Sequence, residues 1–289
     1  MQKLTLAVQL SSFLALLTSD FVAVADDKSK RPVDGIMDNS FLIEEAYNQE
    51  QGVVQNIFNA VYGMNHVVGP ETHALNLSFT QEWPVFSQKH QFSYTIPYGF
   101  LWNKGHESDA FGDVQLNYRY QAYLDEKTLT AFAPRFTLVL PTGSVIEGFH
   151  EGVVGYQLGL PFSTTVGDRW FVHANAGLTY LPDAVAASNE DFLRYSLGAS
   201  AIYCVNDRFN LMLEWICSWT ETPRPNDRVG HEFSSLISPG FRYAINFQNG
   251  SQLVLGLAAP IGLTDSAPQL GAFVYLSFES QLFGKKAQE

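Results

Sequence analysis

The sequence predicts an all-β protein, a transmembrane antiparallel up-and-down β-barrel of about twelve strands. Three observations support this prediction. Short segments alternate apolar and polar residues, tight turns and long Gly/Pro/Asp-rich loops alternate between them, and charged residues are confined to one face of each segment. Barrels that span a bacterial outer membrane combine short turns at one end with longer loops at the other. Because the strand number is even, both termini are expected on the periplasmic side.

The predicted connections fall into two classes. Tight turns are expected at Asp125-Glu126, Gly167-Asp168, Asn206-Asp207 and Gln248-Asn249-Gly250. Long loops are expected at roughly 99–112, 141–152, 181–192, 221–232 and 261–269. The first strand is expected near 53–62.

The N-terminus predicts export. Lys3 precedes a mostly apolar stretch, and Ala23-Val24-Ala25 is a small-x-small cleavage site, so residues 1–25 are a predicted signal peptide. The apolar stretch is too short for a retained anchor. The predicted organisation is then a polar periplasmic segment over 26–52, an outer-membrane barrel over 53–283 and a short tail over 284–289. The predicted location is the outer membrane of a Gram-negative bacterium.

Composition restricts the partners. The chain has 289 residues, 17 basic against 29 acidic, and a net charge of -12, which argues against a nucleic-acid partner because that would need a basic stripe. Aromatic residues are 14% of the chain and charged residues only 16%. The mean hydropathy of -0.04 hides the alternation between apolar and polar faces. The length suits one large barrel.

Alternation is clearest in 113–122, where Val114, Leu116 and Tyr118 oppose Asp113 and Arg119. No charged residue occurs in any apolar set, and a lipid-facing Arg or Lys at mid-membrane costs about 2–4 kcal/mol. The opposite faces contain the candidate pore-lining residues, which are Glu82, Asp113, Arg119, Arg135, His173, Arg194, Glu214, Arg242 and Glu279.

Aromatic residues mark both ends of the predicted strands. The pairs Phe162/Trp170 and Tyr203/Phe209 flank short turns, and other aromatic residues stand beside long loops, namely Tyr98, Tyr180 and Trp219. Two such girdles are typical of membrane barrels. The alternative is a secreted sandwich or lipocalin-like barrel, which would hide the apolar face.

The two cysteines are not expected to pair. In a hairpin that turns at 206–207, Cys204 and Cys217 lie about 25 Å apart along the sheet and on opposite faces.

Several segments resemble a known family. Phe111 to Tyr120, with the pattern GDVQLNYRY, and Arg135 to Gly143, which ends in LPTG, are similar to strands of an outer-membrane family labelled as MetA-pathway phenol-degradation proteins or as transporters. Asn206-Asp207-Arg208 and Gly262 to Asp265 resemble its later hairpins. The resemblance covers roughly 75–278. It implies an outer-membrane barrel associated with passage of aromatic or other small organic compounds, and no catalytic residues.

Four arginines and four carboxylates on the polar faces have two interpretations. They form either a selectivity ladder along a pore or a salt-bridge network that fills a narrow lumen. As a hypothesis, Arg119 and Arg135 lie on neighbouring strands and set the constriction. The remaining histidines lack metal-ligand spacing, so no metal and no cofactor is predicted.

An outer-membrane lipid hydrolase is the enzyme alternative. It would need a Ser–His pair with a polar partner on the lipid-facing surface. His173 and Asn175 share a strand face, but that face is predicted to point into the lumen, and no serine follows in a recognisable motif. The sequence therefore favours a protein that is not an enzyme.

The polar stretch 26–52 also has two interpretations. Asp38-Asn39-Ser40 precedes Phe41 to Tyr47, which is a possible capped helical turn. The segment is either a periplasmic leader to the first strand or a plug that enters the lumen.

These observations predict a channel or facilitator for passive passage of small organic solutes, with aromatic residues near the mouths at Phe100, Trp102 and Phe149. The alternative is a closed barrel with a structural or surface-binding role. Expected partners are outer-membrane lipid, small organic solutes and the barrel-assembly machinery.

Overall fold

The computed structural model describes residues 40–65, 71–103, 105–144, 149, 152–185, 190–224, 228–248 and 250–281. Within this part of the chain all regular structure is β. The predicted signal peptide, residues 26–39 of the polar segment and the predicted C-terminal tail lie outside the described residues.

Sixteen β-strands form one antiparallel sheet. They are β1 (Val53–Asn65), β2 (Thr72–Val85), β3 (Ser87–Asn103), β4 (His106–Phe111), β5 (Val114–Tyr120), β6 (Tyr123–Asp125), β7 (Thr130–Phe132), β8 (Arg135–Leu140), β9 (Gly155–Val166), β10 (Trp170–Val185), β11 (Glu190–Asn206), β12 (Phe209–Arg224), β13 (Arg228–Asn246), β14 (Gln252–Ala258), β15 (Ile261–Gly262) and β16 (Leu270–Gln281).

The sheet closes into a barrel of twelve strands. Three of the twelve are interrupted: β4, β5 and β6 follow one another in one position, β7 and β8 in the next, and β14 and β15 in another. β1 pairs with β2 on one side and with β16 on the other, which joins the ends of the sheet. Closure leaves no long open edge, and in lipid such an edge would carry unpaired backbone groups. The predicted transmembrane antiparallel barrel is confirmed.

The outer face is apolar and the interior is polar. On β12, Leu213 and Trp215 are 51% and 43% exposed, whereas Glu214 between them is fully buried. Arg242 and His173 are likewise fully buried in the barrel wall. A protein that folds in water has the reverse arrangement, with charged groups outside. The alternative of a secreted sandwich or lipocalin-like barrel, whose apolar face is hidden, is therefore wrong.

The tight turns lie where the sequence predicts them, between β6 and β7, β9 and β10, β11 and β12, and β13 and β14. In the first of these turns Asp125 accepts hydrogen bonds from Lys127 N at 3.0 Å and Thr128 Oγ1 at 3.0 Å, and these bonds lower the pKa of the Asp125 carboxyl. One tight turn was not predicted. Phe86, which is 94% exposed with φ 65°, separates β2 from β3 without a Gly, Asn or Asp to mark the turn.

The prediction of long loops is wrong at three positions. Within 99–112 the strands continue to Asn103 and resume at His106, and the hairpins at 181–192 and 221–232 are also mostly strand. Backbone pairing continues beyond the apolar belt because it does not depend on which face the side chains occupy. At the other two positions, the described residues of 141–152 contain no strand and 261–269 keeps only β15.

Cys204 lies opposite Asn210 and Cys217 opposite Leu197, and both cysteines are free. In the described part of the chain, no helix has the length and apolar character needed to cross a membrane.

Replacing Leu213 with Arg tests the outward face. A charge at mid-strand should lower the free energy of unfolding from lipid vesicles by about 2–4 kcal/mol, because it faces hydrocarbon. Val205→Arg is the matched control. Val205 is 39% exposed and lies one residue before the end of β11, near the turn, so its substitution should cost about 0–1 kcal/mol. Equal costs at the two positions would contradict the assigned depth.

Candidate functional site

Residues 40–50, called here the plug segment, lie inside the barrel. Ser40, Ile43, Ala46, Tyr47 and Asn48 are all buried, with Ala46 fully so. The expected periplasmic position of 26–52 therefore does not hold for this part of the segment. The segment crosses the lumen from β3 on one side to β11 and β12 on the other. The space that a channel would need is filled over this stretch.

One carboxylate holds the far end of the plug segment. Glu214 Oε1 accepts hydrogen bonds from three consecutive backbone amides, at 3.0, 2.9 and 3.1 Å, donated by Phe41, Leu42 and Ile43. Hydrogen bonds to an ionised acceptor are stronger than those between neutral groups. One oxygen of the buried carboxyl group therefore has three donors, and three amides without strand partners have an acceptor.

Arg119 on β5 holds the middle of the plug segment. Its Nη1 donates to Glu44 Oε1 at 3.1 Å and to Glu45 O at 3.0 Å. Its Nη2 donates to Tyr47 O at 2.6 Å, and its Nε donates to Asn48 Oδ1 at 2.8 Å. The planar guanidinium with its five donors suits this set of acceptors.

Glu44 joins two arginines. Arg135 on β8 lies directly opposite Arg119 in the sheet register. The second carboxylate oxygen of Glu44 is 3.2 Å from Arg135 Nη1, while the first bonds to Arg119. One carboxylate thus bridges two like charges that would otherwise repel each other.

Amide and hydroxyl side chains of the wall bond to the remaining backbone groups of the plug segment. Three of them accept from backbone amides: Gln91 from Gln49 at 2.7 Å, Gln121 from Asn48 at 3.0 Å and Ser163 from Ala46 at 2.8 Å. Two of them donate to backbone carbonyls, Gln121 to Ala46 at 2.7 Å and Asn175 to Glu44. Wall side chains therefore take the place of secondary structure along this segment.

The capped helical turn predicted for 41–47 is wrong. The residues form bends without a helix. A helical turn would bond the amides of 41–43 within the segment or to its cap, whereas here they bond to Glu214. Buried backbone groups need partners, and the wall provides them.

Wall glycines make room for the apolar side chains of the plug segment. Phe41 stacks on Phe273, with ring centroids 5.1 Å apart. A Cβ on Gly256 would lie 2.3 Å from the Phe41 ring, and a Cβ on Gly198 would lie 2.3 Å from Ile43 Cδ1. No side chain fits at these two wall positions while the plug segment is present.

The nine predicted pore-lining residues are all buried or half-buried, and their roles differ. Arg119, Arg135 and Glu214 contact the plug segment. Glu82 accepts from Gln91 Nε2 at 2.8 Å, next to the bond between Gln91 and Gln49. His173 contacts the plug segment at Tyr47, edge to face with ring centroids 6.2 Å apart. The other four lie elsewhere in the wall or near its outer end, and they are Asp113, Arg194, Arg242 and Glu279.

Sequence reasoning missed part of this site. The amide and hydroxyl side chains of Gln91, Gln121 and Ser163 resemble any polar residue that faces a barrel interior. The sequence left the plug as one of two interpretations of 26–52, and the signal that could have favoured it was the pair Glu44-Glu45 directly after the apolar Phe41 to Ile43. Acidic groups beside an apolar anchor suit a lumen that contains arginines.

A cavity of about 520 Å³ lies near the outer end of the lumen. Its polar lining comes from several strands and includes Asn76, Gln115, Gln157, Thr179 and Arg194. Phe149 also lines it, and a Cβ on Gly99 would lie 2.2 Å from the Phe149 ring. Of the three aromatic residues expected at the mouths, only Phe149 lines this cavity. Phe100 and Trp102 instead stack on each other at 5.9 Å.

Ser163 and His173 form a pair that the sequence did not reveal, because register places them opposite each other on β9 and β10. Ser163 Oγ lies 2.7 Å from His173 Nδ1. Both side chains are fully buried inside the barrel, and Ala46 N donates to the serine oxygen. A lipid hydrolase needs its nucleophile on the outer surface, so this pair stabilises the plugged lumen. In the described part of the chain, no group of three or more His, Cys, Asp or Glu is placed to hold a metal ion.

Comparison with known proteins agrees with the fold. No protein-family model and no curated protein matches the chain. Among solved structures, the chain is similar to the COG4313 outer membrane channel from Pseudomonas putida F1, with a TM-score of 0.59, 14% identity, and coverage of 81% of this chain and 97% of that one. It is also similar to the translocator domain of the autotransporter NalP from Neisseria meningitidis, with a TM-score of 0.48, 13% identity, and coverage of 78% and 87%. The NanC porin gives a TM-score of 0.46 at 9% identity, with coverage of 78% and 98%.

The similarity to the first of these structures supports the barrel fold. The sequence resemblance implied membership in the phenol-degradation family. Because no family model matches the chain, this membership stays a prediction.

Replacing Glu214 tests whether its hydrogen bonds hold the plug segment in the lumen. In Glu214→Gln the three amides of residues 41–43 keep an acceptor but lose its charge, and charged hydrogen bonds contribute about 1.5–3 kcal/mol against about 0.5–1.5 for neutral ones. Amide exchange at 41–43, measured by mass spectrometry in detergent micelles, should become faster by about tenfold or more.

Glu221→Gln is the control for this measurement. Glu221 also lies on β12 and accepts a backbone amide at 2.7 Å, but from Leu193 in the wall. Its substitution should leave exchange at 41–43 unchanged. If both variants speed exchange equally, Glu214 is not the specific anchor.

Proposed function

We propose that this protein is an outer-membrane channel for small organic solutes, closed at rest by the plug segment. The observation that carries the proposal is that residues 40–50 fill the lumen mainly through hydrogen bonds to polar wall side chains. Water can replace such bonds one by one when the segment moves, because water offers the same donors and acceptors. A lumen filled by interlocking apolar side chains would have no comparable route to opening.

The outer face supports the membrane location. Large apolar side chains are exposed along β9 and β12, as a bilayer requires, and lumen-facing charges are shielded from lipid. The predicted signal peptide provides the route of export. The similar structure from Pseudomonas putida F1 is described as an outer membrane channel, and we extend that role to this chain as part of the proposal.

The outer cavity supports passage of small solutes. Its volume of about 520 Å³ lies within the range of small-molecule sites, about 300–1,000 Å³. Polar groups and two aromatic residues, Tyr98 and Phe149, line it together. That combination suits small organic molecules with an aromatic or other apolar part, in agreement with what the family resemblance implies.

A closed barrel with a structural role is the second candidate. The observation that favours it is the completeness of the contacts, because the backbone of the plug segment is bonded along most of its length. The enzyme alternative has less support, since Ser163 and His173 are both fully buried.

A reversible cross-link separates these candidates. Ser40 Oγ and Ser200 Oγ lie 2.6 Å apart, so cysteines at both positions have sulfur atoms within bonding reach. The variant Ser40→Cys/Ser200→Cys, with Cys204 and Cys217 replaced by Ala, should carry no current in planar bilayers when oxidised. Reduction should permit intermittent ion currents, because the reduced plug segment can leave the lumen for part of the time.

The single variant Ser200→Cys in the same background is the control, and its currents should not respond to reductant. Liposome swelling with a size series of solutes gives an independent measure. If the reduced protein passes neither ions nor solutes, the barrel is closed and the channel proposal fails.

A further inference from the structure

We propose that Arg119 and Arg135 form a carboxylate-binding subsite of the lumen, which Glu44 occupies in the closed state and a small organic carboxylate occupies in the open state. The inference deepens the proposed channel function and rests on it for its physiological meaning. Its binding chemistry can be tested separately.

The first argument is geometric. Arg119 and Arg135 are register partners on adjacent strands, so two guanidinium groups project from neighbouring positions of one wall. The Glu44 carboxylate contacts both, with oxygen-to-nitrogen distances of 3.1 and 3.2 Å. Guanidinium groups match the planar geometry of a carboxylate. The pair therefore already binds a carboxylate, and in the closed state that carboxylate belongs to the chain itself.

The second argument concerns what remains when the plug segment moves. Within the described residues, each hydrogen-bond acceptor of Arg119 belongs to the plug segment, between Glu44 and Asn48. The Arg119 side chain is only 3% exposed. An unpaired buried charge is strongly destabilising. Where a solute rather than water takes the place of the plug segment, it must supply these acceptors, and an anionic solute supplies the strongest ones.

The third argument is the local charge balance. Glu82 on β2 is the wall carboxylate that interacts electrostatically with both Arg119 and Arg135. When ionised, it offsets at most one of the two positive charges. With Glu44 and Glu45 displaced, this part of the wall carries a net positive charge, which attracts an anion and repels an amine.

The fourth argument is access. Gln157 lines the outer cavity, and two residues further along β9, Gly159 lies directly opposite Arg135. A Cβ on Gly159 would be 3.6 Å from Arg135 Nε, so the missing side chain leaves space beside the guanidinium. Arg194 lines the cavity itself, and the other charged group in its lining, Asp113, accepts a hydrogen bond from Gly143 N at 2.8 Å. An anion meets Arg194 first and the arginine pair next.

The test measures binding of benzoate and of benzyl alcohol, its uncharged counterpart, to the refolded full-length protein by equilibrium dialysis. Glu44→Gln removes the internal competitor. It should bind benzoate about tenfold or more tightly than wild type, with benzyl alcohol unchanged, because a neutral amide competes less strongly than a carboxylate for the two guanidinium groups. Adding Arg135→Gln to Glu44→Gln should remove this gain. Arg135 is chosen over Arg119 because its side chain is 29% exposed and tolerates substitution better.

Arg169→Gln is the matched control. It neutralises an arginine at the exposed turn between β9 and β10, away from the lumen, and should leave benzoate binding unchanged. Arg135→Gln in the wild-type background is a second variant, which should weaken benzoate binding even if Glu44→Gln fails to fold. Equal affinities of Glu44→Gln for benzoate and benzyl alcohol, or an unchanged affinity after loss of Arg135, would overturn the subsite.

Failure of the channel function has a different signature. If the reduced cross-link variant carries no current but Glu44→Gln binds benzoate selectively, the subsite stands and the channel does not. If currents appear without selective benzoate binding, the channel stands and the carboxylate subsite is wrong.

Discussion

Pairing of buried backbone groups is the constraint on which the rest of this structure depends. In the wall, each long strand meets the constraint by pairing on both sides, and the pairing of β1 with β16 completes the circle. The plug segment has no strand partner, so it meets the same constraint with side chains of the wall. Glu214, Arg119, Gln91 and Gln121 each serve its main chain. The polar lumen is thus a receptor for a backbone without regular secondary structure.

The distribution of charge follows from that arrangement. Because the inner face has equal numbers of arginines and carboxylates, one interpretation of the sequence is that these groups form salt bridges with one another. The structure shows a different use for part of the set, because Arg119, Arg135 and Glu214 direct their charges at residues 41–48. Charges that would stiffen an empty barrel instead hold a segment that belongs to the same chain.

Two kinds of contact hold the plug segment in place. Phe41 is fixed by aromatic stacking on Phe273 and by the absence of a side chain at Gly256, which makes its position specific. The section around Glu44 is fixed mainly by ionic and hydrogen-bonding contacts. Polar contacts of this kind exchange readily with water or with a solute that has similar groups. The section near Arg119 is therefore the natural place for competition between the plug segment and a ligand.

The sequence by itself determined the barrel, because side chains in a strand alternate with a period of two and the charges of each segment fall on one face. Val114, Leu116 and Tyr118 opposite Asp113 and Arg119 suffice to orient one strand, and the same pattern orients the others. The turn at Phe86 escaped prediction because no residue there favours positive φ. The sequence did not predict the strands within 99–112, 181–192 and 221–232, because backbone pairing continues after the alternation of apolar and polar side chains has ended.

Only the tertiary structure decided where residues 40–50 lie. Their partners are distant in sequence, 42 residues away for Gln49 and Gln91 and 173 for Phe41 and Glu214, and no local pattern links such positions. Whether an interior arginine lines open water, pairs with the wall or binds a plug depends on what occupies the lumen. Closure of the barrel fixes that occupancy in three dimensions, since it brings six or more strands around one short segment.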